Sequence, residues 1–196
     1  ACICLEHVLR ALVTQRHLPE NGALVKTIVT TELFRIIAEA YGRRCFDVLT
    51  GFKYVAQMIR QWELSPEGYQ FIFGAEESYG YLLGTEVRDK DAVSASALIC
   101  EIALQAKLQD KTLIDLLHHL YQKYGVYREK LVSIFYGDGK SNFDQMKQAM
   151  AHLRANPPKA IRGTPVITVE DYEASTCTDL RTGQTDPIHL PKSNVY

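Results

Sequence analysis

The stretch FIFGAEESYGYLLG, residues 71–84, sets an apolar run against two adjacent acids and then returns to an apolar run. This pattern predicts a buried strand over residues 69–74 and a short strand over 79–84 that pairs with it. The acids, Glu76 and Glu77, follow closely after the first of these strands. Packing alone gives a strand tip little reason to carry paired carboxylates, so this turn is a candidate binding element.

The sequence on the N-terminal side of this stretch alternates between helical and strand patterns. β-Branched residues crowd the segment ALVKTIVTT, after which Thr31 is well placed to cap a helix that Gly42 would end. The predicted elements are a helix over 3–13, a strand over 23–31, a helix over 32–42, a strand over 44–51 and a helix over 52–63. Strands that alternate with helices favour a largely parallel sheet with helices on both faces.

Two more helices are predicted on the C-terminal side. Residues 91–108 are apolar almost all round, which predicts a helix buried against the sheet, with Asp89 or Asp91 as its N-cap. Residues 112–125 form a helix with one leucine-rich face. The His118-His119 pair on that helix fits a solvated surface better than a metal site.

The pattern changes near residue 126, where a second unit is predicted to begin. Its predicted elements are a strand over 128–139, an amphipathic helix over 143–154 and a strand over 164–172. The predicted fold class is therefore α/β: a three-layer domain with a mixed, mostly parallel sheet over residues 1–125, followed by part of an α+β C-terminal domain over 126–196. Because the chain has no initiator methionine and both ends interrupt ordinary patterns, we expect it to be cut from a longer protein.

Charge and composition argue against several classes of partner. Lysine and arginine total 22 against 23 for aspartate and glutamate, and a net charge of −1 gives no reason to expect nucleic acid or an acidic membrane. No apolar run approaches the roughly 18 residues that a membrane-spanning helix needs. The five cysteines are odd in number and lack metal-type pairing, which is typical of reduced thiols in a cytoplasmic protein.

Three segments are expected at the edge of the sheet where the strands end, which is where ligands of such folds bind. They are LTGFK (49–53), GAEESYG (74–80) and VRDKDAV (87–93). A carboxylate and a nearby hydroxyl are suited to vicinal sugar hydroxyls, and Glu76 and Ser78 provide both.

A phosphate group prefers a cation near a helix N-terminus, and Arg88 and Lys90 supply two such cations. Plainer interpretations also fit. Residues 88–91 could be a solvated charge cluster, and Thr50 could serve only as a helix cap while Gly51 relieves a tight turn. The residues by themselves therefore indicate sugar-phosphate binding without indicating a particular reaction.

Five segments, taken in order, resemble the α-D-phosphohexomutase superfamily, which comprises the phosphoglucomutases and phosphomannomutases. They are VKTIVTT (25–31), LTGFK (49–53), FGAEESYGYLLGTEVRDKDAV (73–93), TPVITVEDY (164–172) and LPKSNV (190–195). The long central segment is the most specific, and it is most similar to the phosphoglucomutase/phosphopentomutase-like branch. Such mutases have four domains, so the resemblance implies that this chain is the third, sugar-binding domain and the start of the fourth.

The resemblance also implies roles for individual residues. Glu76 and Ser78 match the pair that holds the sugar hydroxyls, and Lys90 matches a lysine beside the sugar and its phosphate. The Thr50-Gly51 loop matches one that touches the ligand with its backbone, and Arg88 has a less defined part. The implied substrate-binding set is Thr50, Gly51, Glu76, Ser78, Arg88 and Lys90.

The family reaction implies a phosphorylated sugar, most simply glucose, together with Mg²⁺ and a glucose 1,6-bisphosphate-type intermediate. This sequence carries no phosphoserine segment, aspartate-rich metal loop or C-terminal phosphate loop of the family's pattern. The resemblance thus implies that the remaining domains of the same mutase supply these groups, and that the chain alone is inactive. A second hypothesis is a stand-alone sugar-phosphate binding or regulatory module. The sequence does not decide between hexose and pentose, or between glucose and mannose.

Overall fold

The computed structural model describes residues 1–137 and 139–196 of the chain. It divides into two units, residues 1–129 and 130–196, and each is described by itself. The predicted boundary at residue 125, between two domains of a longer protein, stays a prediction.

The helices and strands of the first unit follow the predicted order. They are α1 (Cys2–Thr14), β1 (Gly22–Thr27), α2 (Glu32–Ala40), β2 (Arg44–Val48), α3 (Phe52–Glu63), β3 (Gln70–Ala75), β4 (Tyr81–Leu83), α4 (Ala92–Lys107) and α5 (Leu113–Tyr124). Thr31 caps α2 as predicted, because its side chain accepts a hydrogen bond from the Leu33 N–H. β1 ends at Thr27 instead of residue 31, because the Thr30 N–H bonds back to the Thr27 carbonyl and turns the chain.

The four strands form one sheet in the order β2-β1-β3-β4. β1 pairs in parallel with β2 and with β3, while β4 runs antiparallel to β3. Adjacent side chains of β1 point to opposite faces: Leu24 packs with α1, α2, α4 and α5, and Val25 packs with α3. The first unit is therefore a three-layer α/β domain with a mixed, mostly parallel sheet, which confirms the predicted fold class.

α4 is buried against the rest of this unit on one side, as predicted, and its other side is exposed. Leu98 and Ile102 are 8% and 2% exposed and belong to the core. Val93 and Leu104, on another side of the helix, are 82% and 58% exposed. A helix that lies on a sheet buries the side that faces the sheet, and an apolar sequence does not change that geometry.

The second unit combines one long helix with short strands. Its elements are α6 (Lys140–Ala155), β5 (Ala160–Ile161), β6 (Thr164–Pro165), β7 (Thr168–Asp171), β8 (Thr176–Asp179) and β9 (Thr185–Pro187). α6 confirms the helix predicted over 143–154. The strand predicted over 164–172 is divided into β6, which pairs with β5, and β7, which begins the antiparallel sheet β7-β8-β9.

The strand predicted over residues 128–139 is wrong for the described part of that range, and residue 138 lies outside the described residues. The apolar side chains that suggested it, such as Leu131 and Phe135, are exposed. A strand needs a neighbour that bonds its N–H and C=O groups, and an apolar pattern alone does not supply one.

Candidate functional site

An open cavity lies beyond the ends of β2 and β3. Its volume is about 530 Å³, and its lining comes from residues 50–53, 76–78 and 89–90. Both strands run parallel to β1, so their carboxyl ends lie at the same edge of the sheet, where α/β domains bind ligands. The predicted site residues that line the cavity are Thr50, Gly51, Glu76, Ser78 and Lys90.

Glu76 connects the three lining segments. The residue is 4% exposed, and its Oε1 accepts a hydrogen bond from the Gly51 N–H at 2.6 Å. Its Oε2 lies 2.8 Å from Lys90 Nζ and accepts a longer hydrogen bond, 3.5 Å, from Ser78 Oγ. A buried carboxylate needs such donors to offset its lost hydration, and charged hydrogen bonds are the strongest available. Glu76 therefore holds the Gly51 loop and Lys90 in fixed positions around the cavity.

Lys90 supplies a cation at this cavity. Its Nζ also donates to Ser78 Oγ at 3.3 Å, and its side chain is 41% exposed. The hydrogen bond to Glu76 raises the pKa of Lys90 above its ordinary value, so the ammonium group stays charged through neutral pH. An ammonium has three donors, which leaves Lys90 able to bind an incoming anion without releasing Glu76.

The loop before α3 has a backbone conformation that favours glycine. Gly51 has φ of 117° and ψ of 122°, and it is the N-cap of α3. No side chain in the described residues caps this helix, so Thr50 does not serve as the cap. The first-turn N–H groups of α3, with the partial positive charge of a helix N-terminus, are therefore free of a side-chain cap beside the cavity.

Glu77 lines the same cavity but is exposed. Its Oε2 accepts a hydrogen bond from Thr27 Oγ1 at 2.7 Å, and Thr27 in turn shares a hydrogen bond with Thr30 at 2.8 Å. Sequence reasoning missed the role of Thr27: the residue lies in the VKTIVTT segment that resembles the family, but its partner Glu77 is 50 residues away in the chain.

Arg88 lies apart from the cavity lining. Its guanidinium pairs with the Glu63 carboxylate and donates to the Thr85 carbonyl. The structure does not bring it together with the other five predicted residues, and a phosphate-binding role for Arg88 stays a prediction. Of the two acids predicted as the cap of α4, Asp91 has that role, since it accepts hydrogen bonds from the Val93 and Ser94 N–H groups.

Gly80 gives Lys90 the room it occupies. A Cβ atom at position 80 would lie 2.6 Å from Lys90 Cε and 2.8 Å from its Cδ, closer than carbon atoms approach. The Gly80 carbonyl also accepts the Glu76 backbone N–H at 2.9 Å. The glycine therefore supports both partners of the ion pair.

Two kinds of feature are missing from the parts of the chain that the structure describes. They contain no group of three or more histidine, cysteine, aspartate or glutamate side chains that could hold a metal ion. Within the same residues, no helix is both long and apolar enough to cross a membrane.

An α/β domain with an open polar cavity at the carboxyl ends of its strands is typical of a ligand-binding domain. Comparison with protein families matches residues 1–124 to "Phosphoglucomutase/phosphomannomutase, alpha/beta/alpha domain III". The chain therefore belongs to the phosphoglucomutase/phosphomannomutase family, as the sequence resemblance predicts.

Curated relatives agree with this assignment. The chain is 40% identical to a phosphoglucomutase of Staphylococcus aureus (strain MSSA476) over 172 residues, which is 88% of this chain and 30% of the relative. It is 34% identical to a phosphoglucomutase of Staphylococcus haemolyticus over 188 residues, 96% of this chain and 34% of the relative. The chain thus spans about a third of the length of the curated relatives it matches.

A solved structure also aligns with part of this chain. A chain from Thermus thermophilus, described as a candidate phosphomannomutase, aligns with 63% of this chain and 26% of its own length. The TM-score is 0.47 and the identity is 18%, values that do not by themselves establish a shared fold.

Proposed function

We propose that this chain is the sugar-recognition domain of a phosphosugar mutase, followed by the start of its phosphate-binding domain. The observation that carries the proposal is the contact of the buried Glu76 with Lys90 at the edge of an open cavity. The phosphoglucomutase relatives support the same interpretation. The substrate is a phosphorylated sugar, glucose phosphate in the first instance, with other hexose or pentose phosphates as alternatives to assay.

In this proposal Glu76 binds the sugar hydroxyls. Each carboxylate oxygen has two lone pairs, so Oε1 can accept from a hydroxyl while it keeps the Gly51 N–H. The second of two vicinal hydroxyls would then donate to Oε2 in place of Ser78 Oγ, whose 3.5 Å hydrogen bond is long, and the released Ser78 hydroxyl can bind the sugar. Because its protein partners fix the carboxylate, little entropy is lost when the sugar binds.

Lys90 and the start of α3 bind the phosphate. The ammonium is charged and partly exposed, and the uncapped N–H groups after Gly51 carry partial positive charge. Thr50 is exposed at the same rim and can contribute its hydroxyl group. Arg88 can bind the phosphate only after its guanidinium leaves the ion pair with Glu63.

The mutase reaction moves a phosphoryl group between the 1-position and the 6-position of the sugar, or the 5-position of a pentose. It passes through a bisphosphate of the glucose 1,6-bisphosphate type. A phosphoserine and Mg²⁺ supply that chemistry, and we assign both to remaining domains of a longer cytoplasmic protein, outside residues 1–196. The residues of this chain bind and orient the sugar in each of its two positions, so the chain alone is expected to be inactive.

Replacing Lys90 with methionine tests the site. In the full-length protein this change should lower kcat/KM for glucose 1-phosphate, because a charged hydrogen-bond donor is lost from the substrate site. The loss of transition-state stabilisation should be about 1.5–3 kcal/mol. The measurement is a coupled assay of glucose 6-phosphate formation. Lys111→Met removes an exposed lysine outside the cavity and should leave the rate unchanged. Lack of mutase activity in the wild-type protein, or full activity in Lys90→Met, would contradict the proposal.

Gly80→Ala should impair the same site without removing a polar group. The new methyl group must displace the Lys90 side chain, which can move because it is flexible and partly exposed. We expect kcat/KM to fall by about tenfold or more, as for the loss of one charged hydrogen bond, while urea unfolding changes little. Trp62, the single tryptophan of the chain, reports on that unfolding by its fluorescence. Wild-type kinetics with a normal unfolding curve would show that Lys90 needs no space at position 80.

A further inference from the structure

The outward side of α4 carries an apolar stripe. Val93, Ala97, Cys100 and Leu104 recur every three or four residues along it, and all four are exposed. This spacing places them on one side of the helix, opposite the side that packs into the core. We call these four residues the α4 stripe; it is about 16 Å long at 1.5 Å per residue.

The water-exposed side of a helix usually carries charged and polar side chains. The outward side of α3 carries exposed charges, among them Lys53, Arg60 and Glu63. The 16-residue sequence of α4 contains two charged residues, Glu101 and Lys107, and its exposed side is otherwise apolar or small. An apolar side opposite a buried side is the pattern of a helix that is covered on both sides.

The shape of the stripe suits another helix. Ala97 and Cys100 are small and lie at its centre, while the larger Val93 and Leu104 lie toward its ends. Small central side chains let a second helix approach closely, and the larger ones can fill the grooves between its side chains.

We infer that another domain of the same polypeptide, outside residues 1–196, packs an apolar helix face on the α4 stripe. The curated relatives are about three times as long as the part of them that this chain matches, so such domains are present in the family. A stable association between separate molecules usually needs about 20–30 residues from each side. Four residues fall far short of that, whereas a domain tethered in the same chain acts at millimolar effective concentration and needs a smaller contact.

The position of the stripe connects it to the cavity. Val93 lies three residues after Lys90 in the chain, at the start of α4, and Lys90 lines the cavity. A domain that packs on the α4 stripe therefore lies beside the open cavity, where groups from other domains must arrive if the proposed mutase function holds. The evidence that the contact exists is the exposed apolar side of α4. The use of the contact, to bring another domain to the cavity, rests on the proposed function.

Alkylation of Cys100 tests this inference, because Cys100 lies within the stripe. In the full-length protein, N-ethylmaleimide should modify Cys100 about tenfold or more slowly than in the urea-denatured protein, since the contact must open first. Leu104→Glu should remove most of this protection by placing a charge in the contact. The matched control is Leu64→Glu, which changes a leucine that is also exposed, 67% against 58%, but lies at the end of α3. Peptide-resolved mass spectrometry gives the rate at each cysteine.

Cys4 monitors folding in the same experiment. It is buried, and burial raises the pKa of its thiol, so it should stay slow to react in every folded variant. Rapid labelling of Cys100 in the wild-type protein overturns the inference. Protection that appears only as protein concentration rises overturns it in favour of a second copy.

Cross-linking identifies the occupant and separates this inference from the proposed function. A lysine-reactive cross-linker should join Lys107, which flanks the α4 stripe, to residues outside 1–196. Links confined to residues 130–196, or between two copies, overturn the inference. Protection of Cys100 in a protein without mutase activity would support the inference and contradict the proposed function; an active mutase with an unprotected Cys100 would do the reverse.

Discussion

Glu76→Gln should lower kcat/KM of the full-length protein for glucose 1-phosphate roughly 30- to 1,000-fold, a loss of about 2–4 kcal/mol of transition-state stabilisation. Glutamine keeps the length of the side chain, and its amide oxygen can still accept the Gly51 N–H. It loses the charge that pairs with Lys90 at 2.8 Å, and it places an NH₂ donor where the site now has an acceptor. Because the residue is buried, water cannot replace the missing interaction.

The control for this variant is Glu67→Gln. Glu67 is an exposed acid in the loop between α3 and β3, and its loss should leave the kinetics unchanged. The double variant with Lys90→Met adds a second test. If Glu76 and Lys90 act as one unit, the double variant should lose little more than the more impaired single variant. If Glu76→Gln keeps the wild-type kcat/KM, Glu76 is not a substrate-binding residue.

The fold follows from patterns that are local in the sequence. Residues 52–63 predict α3 with its observed bounds, and Thr31 and Asp91 are caps that the sequence signals. Alternation of such elements is enough to predict the mixed sheet. The strand predicted over 128–139 fails because strand formation depends on a neighbour, which no local pattern contains.

The site was predicted less completely, since its contacts join distant parts of the chain. The GAEESYG segment predicts that Glu76 is special, but not that the Gly51 N–H, 25 residues earlier, binds its carboxylate. In the same way, nothing near Arg88 indicates that it pairs with Glu63 instead of lining the cavity. Nothing in the sequence around Gly80 indicates that it leaves space for the side chain of Lys90, ten residues later. Residue types predict what chemistry is available, and the tertiary fold decides which groups meet.

Lys26 is a second buried charged residue, and it forms ion pairs with two acidic side chains. The residue is fully buried in β1; its Nζ lies 2.7 Å from a Glu32 carboxylate oxygen and 3.0 Å from Asp47, and it donates to the Thr30 carbonyl at 3.1 Å. Arg35 pairs with both acids as well, so the four side chains form a neutral network. Such a network is costly to leave incomplete, because the remaining charges lose their partner without regaining full hydration.

Lys26→Met should therefore lower the free energy of unfolding of the first unit by about 2–4 kcal/mol. The value is below that of a fully buried pair, because the Glu32 and Asp47 side chains are 55% and 34% exposed and water can partly solvate them. Urea unfolding followed by Trp62 fluorescence measures the change in this unit. Lys111→Met, at an exposed position, should change it by less than about 0.5 kcal/mol.

The pH dependence of this loss distinguishes a charge effect from a packing effect. Burial by itself would raise the pKa of Glu32, but its hydrogen bond with Lys26 and the charges of Lys26 and Arg35 hold the pKa below its ordinary value of 4.5. A carboxyl group whose pKa is lowered on folding adds stability above its unfolded pKa, and that stability is lost as the pH falls through the folded pKa. The difference between wild type and Lys26→Met should thus be largest above pH 4.5 and should narrow as the pH falls below it. A difference that stays constant from pH 7 into that acid range would assign the loss to packing alone, and equal stability at pH 7 would mean that methionine packing replaces the whole network.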